Sequence, residues 1–377
     1  MKIVSTRHGL LLNTSGASSN MLLLQLSPEI LRLIFEQIGS SFFQKDLRRL
    51  TICKQWYEFA LPECLRRVVF YGDNLKRLIN VGGLSQPSAL RNSCEDLSLY
   101  IGGDQTRTIS PSAQSFARTS TNADTSTALH VVSQDDTLAN SQILNNDLVQ
   151  LSLLIQGSFK LHTLYIRAWS FPPFHIRGSQ RDYLSLPTMR SLLSVDHLAA
   201  LVLDLPVGFC DSSEYQEAGC QLCPTIGALL GNLQSLQLRV RTICPNALKP
   251  QSHSHSLPLT KVVVNLSLST NLPWQTSAIH SKRCGSAGGG MLQLKADLQK
   301  QAESLLPRMA TPKFLRILTH SLPSIETQVL DVVTGKTMIL DDNAAWDQDG
   351  RAPEKVSTPE PELSDDALAA FLDSDED

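Results

Sequence analysis

A chain of 377 residues in which 42% are hydrophobic and 18% charged is long enough for a sizeable core and for two domains. Its net charge of -3 is unevenly distributed: residues 341–377 hold 13 acidic and 2 basic side chains, which leaves 31 basic against 23 acidic in the first 340. That basic surplus is too dilute to indicate nucleic-acid binding, no run reaches the roughly 18 to 20 apolar residues of a membrane span, and eight cysteines in so long a chain do not make a secreted disulfide framework.

No N-terminal stretch combines a basic start, a long apolar run and a small-residue cleavage site, so reduced thiols and a cytoplasmic or nuclear location are expected. Asn13-Thr14-Ser15 and Asn265-Leu266-Ser267 match the N-glycosylation pattern, but so short a pattern arises by chance and needs a secretory route to matter. Residues 1–21 lack periodicity and are expected to be a disordered leader, with Met21 a conceivable alternative start.

The first periodic stretch is "LSPEILRLIFEQI", residues 26–38. Ser27, Pro28 and Glu29 form a helix-start signature: a capping hydroxyl, a proline at the first position and a carboxylate near the positive end of the dipole. At about 100° per residue, Ile30, Leu31, Leu33, Ile34, Phe35 and Ile38 cover an arc of roughly 200°, twice the usual apolar stripe of a surface helix. One flat neighbour cannot cover such an arc. The helix should stop near Gly39, and a second should start at the Asp46 cap, carry Leu47, Leu50, Cys53, Tyr57 and Leu61 at spacings of three or four, and close at Pro62. A short strand over "RRVVFY" (66–71) and a helix over "DNLKRLINVGG" (73–83) follow.

Beyond this the pattern apolar, two residues, apolar, one residue, apolar returns as Cys94/Leu97/Leu99, Leu161/Leu164/Ile166, Leu198/Leu201/Leu203, Leu233/Leu236/Leu238 and Leu259/Val262/Val264. In a strand the last two residues of each triple share a face and the first lies in the entering turn. Helices are expected over 143–156, 188–194 and 224–231, which makes the unit helix then strand. The pattern resembles a leucine-rich repeat, but the spacings of 67, 37, 35 and 26 mostly exceed that family's usual 20 to 29, and the Asn or Cys after each triple is missing. A curved repeat stack and an ordinary α/β core both remain open. The Ser/Thr-rich interval 102–141 reads as a disordered insertion. "KPQSHSHSLP" (249–258) and "SKRCGSAGGG" (281–290) read as linkers, the latter before a helix over 291–306. "ETQVLDVVTGKTMILDD" reads as a hairpin turning at Thr334 and Gly335, and 341–377 as a disordered acidic tail. Within that tail Leu368, Phe371 and Leu372 could form a helix on a basic partner.

Catalytic motifs are missing. "TGKT" (334–337) lacks the glycine five residues before Gly335, where Leu330 stands, so it is not a phosphate loop. "DQDG" (347–350), read as a calcium loop, puts Ala345 first and Val356 twelfth and loses two carboxylate ligands. Cys220 and Cys223 are spaced like half a zinc site, with Cys210, Cys244, His253 and His255 as conceivable partners, yet no second close pair exists. No metal or cofactor is therefore expected. With no G-x-S-x-G elbow and no His beside an acid pair, His280 and His320 read as packing or surface residues, and the chain as no enzyme.

Residues 26–65, "LSPEILRLIFEQIGSSFFQKDLRRLTICKQWYEFALPECL", resemble an F-box, the helical module that docks on the Skp adaptor of cullin-RING ubiquitin ligases. Leu26 and Pro28-Glu29-Ile30 are similar to its opening, Ile34 and Phe35 to its first helix, Asp46-Leu47 to the start of its second, and Cys53, Lys54 and Trp56 to its C-x-x-W ending. The family usually begins Leu-Pro, whereas here Ser27 follows Leu26. "LQSLQLRVRTICP" and "LRILTHSLPSIETQVLDVVTGKTMILDD" are similar to a group of fungal F-box proteins with irregular repeats after the box.

The resemblance implies an α/β chain with a disordered leader (1–21), an F-box (22–70), a degenerate repeat domain (71–340) and the tail (341–377). It further implies a substrate receptor of an SCF-type ligase that binds the Skp adaptor, through it a cullin, and an unknown target protein, without nucleic acid or membrane. Adaptor contacts would come from Leu26, Pro28, Ile30, Leu31, Ile34, Phe35, Leu50 and Trp56. The alternative is a non-enzymatic scaffold whose F-box-like helices pack internally.

Overall fold

A computed structural model describes residues 26–80, 87–102, 134–169, 183–209, 222–252, 256–268, 280–285, 290–321, 326–341 and 344–353. The expected leader, most of the expected insertion, and the tail beyond residue 353 lie outside the described residues.

The N-terminal unit comprises α1 (Pro28–Ile38), α2 (Ser40–Lys45), a 3-10 turn (Leu47–Leu50) and α3 (Lys54–Cys64). Gly39 stops α1 at φ 78°, a backbone angle that glycine adopts without penalty, and α2 follows at once. The single second helix expected from Asp46 is therefore two pieces, the 3-10 turn and α3, and α2 precedes them as an element of its own. Asp46 caps only the 3-10 turn, its carboxylate accepting from the Arg48 N–H at 3.0 Å. Cys53 caps α3, its sulfur accepting from the Trp56 N–H at 3.4 Å. Pro62 lies inside α3 rather than ending it. At the start of α1 the Ser27 side chain makes no cap. Instead Glu29 accepts from its own backbone N–H and the Ser27 hydroxyl, which holds its carboxyl below the usual range.

These helices close on a core of their own: Leu31, Phe35, Phe43, Leu50, Ala60 and Cys64, with Ile38, Trp56, Phe59 and Leu61 around it. Phe35 meets Trp56 edge-on at 4.7 Å and lies 5.6 Å from Phe43, packing that suits the quadrupoles of aromatic rings.

The remainder is a nine-stranded sheet. Strands β1 (Arg67–Tyr71), β2 (Asp96–Gly102), β3 (Thr163–Trp169), β4 (Ala200–Leu205), β5 (Ser235–Val240), β7 (Lys261–Asn265) and β9 (Phe314–Ser321) are parallel and adjacent in that order; β10 (Glu326–Asp331) and β11 (Lys336–Leu340) continue it antiparallel. A separate pair joins β6 (Thr242–Ile243) to β8 (Lys282–Arg283). Between the parallel strands run α4 (Gly72–Asn80), α5 (Pro87–Ser93), α6 (Gln134–Ile155), α7 (Leu186–Leu192), α8 (Cys223–Leu229), a 3-10 turn (Pro245–Leu248) and α9 (Met291–Leu305). Every new strand is added to the same edge and one sheet face takes the helices, so the chain winds in one direction.

All fifteen residues of the five apolar triples are buried. They are also in register: Leu97, Leu164, Leu201, Leu236, Val262 and Leu315 form one row across the sheet, and Leu99, Ile166, Leu203, Leu238, Val264 and Ile317 the next. Backbone bonding fixes this register. The Arg66 carbonyl accepts the N–H groups of Glu95 and Asp96, Glu95 those of His162 and Thr163, His162 those of Ala199 and Ala200, and Ala199 those of Gln234 and Ser235. The bonding continues from Gln234 to Thr260 and Lys261, and from Thr260 to Lys313 and Phe314.

Three further expectations need correction. Helix α6 begins at Gln134, so the insertion cannot extend to 141. "SKRCGSAGGG" is no free linker, because Lys282 and Arg283 pair with β6 and Cys284 is buried. Residues 344–353 belong to the folded body: Trp346 packs beside Val263, Leu318, Val329 and Leu340, and Arg351 exchanges backbone bonds with Ile339 at 2.8 and 2.9 Å. The buried Arg316 draws them in through the Gln348 carbonyl (2.6 Å) and Asp349 (2.5 Å). Asn265, whose match to the glycosylation pattern reads as chance, is buried, and its side-chain oxygen accepts the Ser267 N–H at 2.9 Å. The hairpin at Gly335 (φ 68°) forms as expected.

Two predictions follow from this packing. Leu236→Ala should cost about 2–5 kcal/mol by urea denaturation, whereas Gln237→Ala, one residue along on the opposite face, should cost less than about 1 kcal/mol. Asp349→Asn should loosen the 344–353 segment and speed hydrogen exchange at the Ile339 and Arg351 amides by about threefold to tenfold; the carboxylate is largely exposed, so solvent screening limits the effect.

Candidate functional site: an outward helix edge, an open sheet face and a cysteine cluster

The wide apolar arc of α1 splits lengthwise. Leu31 and Phe35 point into the small core and are 0% and 1% exposed, with Ile38 half-buried beside them. Ile30 and Leu33, on the other side of the arc, are 45% and 55% exposed, with Ile34 half-buried next to them. Exposed apolar side chains recur through the same unit at Leu26, Leu47, Ile52 and Tyr57.

The eight residues expected to meet an adaptor therefore separate. Leu26, Pro28 and Ile30 are exposed, Ile34 and Trp56 half-buried, and Leu31, Phe35 and Leu50 interior. For the last three the role changes from contact to support, because their side chains are what joins α1 to the other helices. Trp56 is also held from within, its indole N–H donating to the Arg49 carbonyl at 2.5 Å. Leu33, Leu47, Ile52 and Tyr57 were absent from the expected set; their signal was present in the sequence as large apolar residues at positions that a closed core has no room for.

A second surface lies on the sheet face away from the helices. Along its N-terminal strands Tyr71, Tyr100 and Tyr165 form a ladder with ring centroids 5.3 and 5.4 Å apart. Tyr71, Tyr100, Arg167, Asp204 and Arg239 lie in one register row. The buried Asp204 takes a two-pronged contact from Arg239 (2.6 and 2.9 Å) and a third from Arg167 at 3.4 Å. The Arg239 guanidinium in turn lies 4.9 Å from the Trp346 ring. Burial, and then the Asp204 carboxylate, push the Tyr165 phenol up. Such a face can hold a partner by stacking and by charged hydrogen bonds.

The third feature is thiol chemistry. Among the described residues six cysteines stand outside any disulfide: Cys53, Cys64, Cys94, Cys223, Cys244 and Cys284. Cys210, Cys220, His253 and His255 lie outside the described residues. Of the conceivable zinc partners, the fold brings Cys244 to Cys223, and it adds Cys284, which spacing did not suggest; the three sulfurs lie within 4.8 Å of one another and all are buried. The close approach is made at Gly227 in α8, where a Cβ would come within 2.5 Å of the Asn246 carbonyl oxygen and 2.6 Å of that of Lys249. Cys244 accepts hydrogen bonds from the Cys223 and Cys284 thiols, which draws it below the ordinary thiol range, while the same bonding and burial push Cys223 up. Cys94 is pushed up to about 12 by burial and the nearby Asp96 and Glu95 carboxylates. His280 forms an isolated antiparallel bridge with Ser267.

By fold the chain is a mixed α/β protein with a nine-stranded sheet and a separate N-terminal helical core. No family model matches it, and no curated protein matches its sequence.

The split of α1 is testable by stability alone. Phe35→Ala should cost about 3–5 kcal/mol, and Leu33→Ser less than about 1 kcal/mol, in chemical denaturation followed by circular dichroism.

Proposed function

We propose that this chain is a non-catalytic substrate receptor of an SCF-type cullin-RING ubiquitin ligase. The N-terminal unit would take the Skp-type adaptor, and the sheet body would present a target protein. The observation that carries this reading is the divided helix α1. Leu31 and Phe35 satisfy the internal core, while Ile30 and Leu33 stay in water beside Leu26 and Ile34. An apolar edge kept outward on a unit that already has a complete core is the composition of a docking surface. The resemblance of residues 26–65 to an F-box names the partner that such an edge would meet.

The open sheet face suits the target end. Tyr71, Tyr100 and Arg167 supply side chains that dominate binding energy at protein interfaces. A receptor of this kind forms and breaks no bond; it raises the effective concentration of the target near the transferring subunits.

One observation favours the scaffold reading, in which the helices serve internal packing only: Phe35 is sealed and Trp56 half-buried with its N–H bonded inside the unit. The two readings differ at Ile30 and Leu33. The double variant Ile30→Asp/Leu33→Asp of the full chain should keep its unfolding midpoint within a few degrees and lose at least about 100-fold in affinity for a purified Skp-type adaptor by calorimetry. Unchanged affinity in the folded variant selects the scaffold. Tyr71→Ala/Tyr100→Ala should leave adaptor affinity unchanged and reduce capture of the target proteins that the full chain recovers by cross-linking.

A further inference from the structure

The thiol cluster lies in the core of the sheet body, and the inference drawn from it stands independently of that reading. We propose that Cys223, Cys244 and Cys284 form a thiolate site for a thiophilic divalent cation, with zinc the ion that fits. The three sulfurs come from three separated segments: the start of α8, the residue before the 3-10 turn at Pro245, and the residue after β8. They converge to within 4.8 Å, with Cys223 and Cys284 at 3.7 Å.

A zinc–sulfur bond of about 2.3 Å puts neighbouring sulfurs about 3.8 Å apart around a tetrahedral ion and about 4.0 Å apart around a trigonal one. The cluster thus needs to contract by no more than about 1 Å to close on the metal. Soft sulfur donors select zinc and its heavier congeners over magnesium or calcium. The Cys244 backbone N–H donates to the Cys223 sulfur at 3.4 Å, the kind of outer hydrogen bond that supports a metal-bound thiolate. Arg283, next in sequence to Cys284 and paired with Asp297, brings positive charge to a set of up to three thiolates.

Ordinary thiol packing does not have this form. Cys94, a buried free cysteine elsewhere in the sheet core, directs its S–H to the Asp96 carbonyl at 3.6 Å. The three cysteines here instead turn toward one point. The segments that carry them meet at the two-residue pair β6–β8 and at Gly227, and a metal would add a cross-link among all three. Three protein sulfurs satisfy a three-coordinate ion, or leave a tetrahedral one a single position for water or another exogenous donor.

The test uses the full chain, purified under reductant from zinc-supplemented culture and assayed for metal by mass spectrometry. About one zinc per chain is expected. Reduced, chelator-stripped protein should gain at least about 3 °C in unfolding midpoint on adding Zn2+, and should develop a thiolate-to-metal ultraviolet band on adding Cd2+. Cys244→Ser and Cys284→Ser should lose the metal and the band, and Cys94→Ala should keep both. Fewer than roughly one zinc per ten chains, with neither a Cd2+ band nor a midpoint shift in the wild-type protein, overturns the site. That wild-type result decides the matter even if the serine variants fail to fold. Recovery of a Cys223–Cys284 disulfide with no metal uptake after reduction overturns it equally.

Discussion

Everything in the body depends on one backbone device: a carbonyl in the turn entering each parallel strand that accepts two successive N–H groups from the next unit. The device passes from Arg66 through Glu95, His162, Ala199 and Gln234 to Thr260. Because it is repeated without a slip, each strand starts level with its neighbour. A one-residue slip would turn every apolar side chain of a strand to the opposite face. With the slip forbidden, Leu97, Leu164, Leu201 and Leu236 stack as one row and Leu99, Ile166, Leu203 and Leu238 as the next. Helices of very different length, from the seven residues of α7 to the twenty-two of α6, can then serve as covers without disturbing the sheet.

The same row geometry sorts the two faces. Residues between the apolar positions, such as Tyr100, Arg167 and Arg239, are forced to the side that the helices leave open. Asp204 is a buried carboxylate on that side, and its burial is tolerable because two guanidiniums meet it. Arg316 plays the complementary part near the other end, as a buried cation whose partners arrive from residues 348 and 349. Charge on this face thus positions the C-terminal segment as well as decorating the surface.

The regular part of this architecture was legible in the sequence because the triple Leu–x–x–Leu–x–Leu encodes both the turn and the strand. At β1 the strand was expected over 66–71 but not its triple, Leu65, Val68 and Phe70, which follows the same spacing beside two arginines; β9 was missed, where Pro312 stands in the first position before Leu315 and Ile317. Period alone marked the arc of α1 as too wide. Which half faces inward is decided by Phe43 and Phe59, which no local rule places against Phe35. Helix α2 is six residues long, too short for periodicity to declare it. Trp346 was hidden by the acidity of its neighbours, although its ring is what seats that segment. Cys284 was concealed in the same way, by the glycines that follow it, and only the pairing of β8 with β6 carries it to Cys223.

The junction between the helical unit and the sheet has a mechanical consequence. Helix α3 runs into β1 through Leu65 and Arg66 alone; Arg66 pairs with Glu95 at 2.7 Å, and the Gln44 side chain bonds the carbonyls of Cys64 and Arg67. So short and so tied a connection leaves no swivel. With strands about 4.8 Å apart, the tyrosine ladder on β1 to β3 lies within roughly 10 Å of the sheet edge from which the helices project. A molecule resting on the ladder would be carried like a tool in a rigid bracket, its distance and angle to anything gripping the helices fixed by the polypeptide itself.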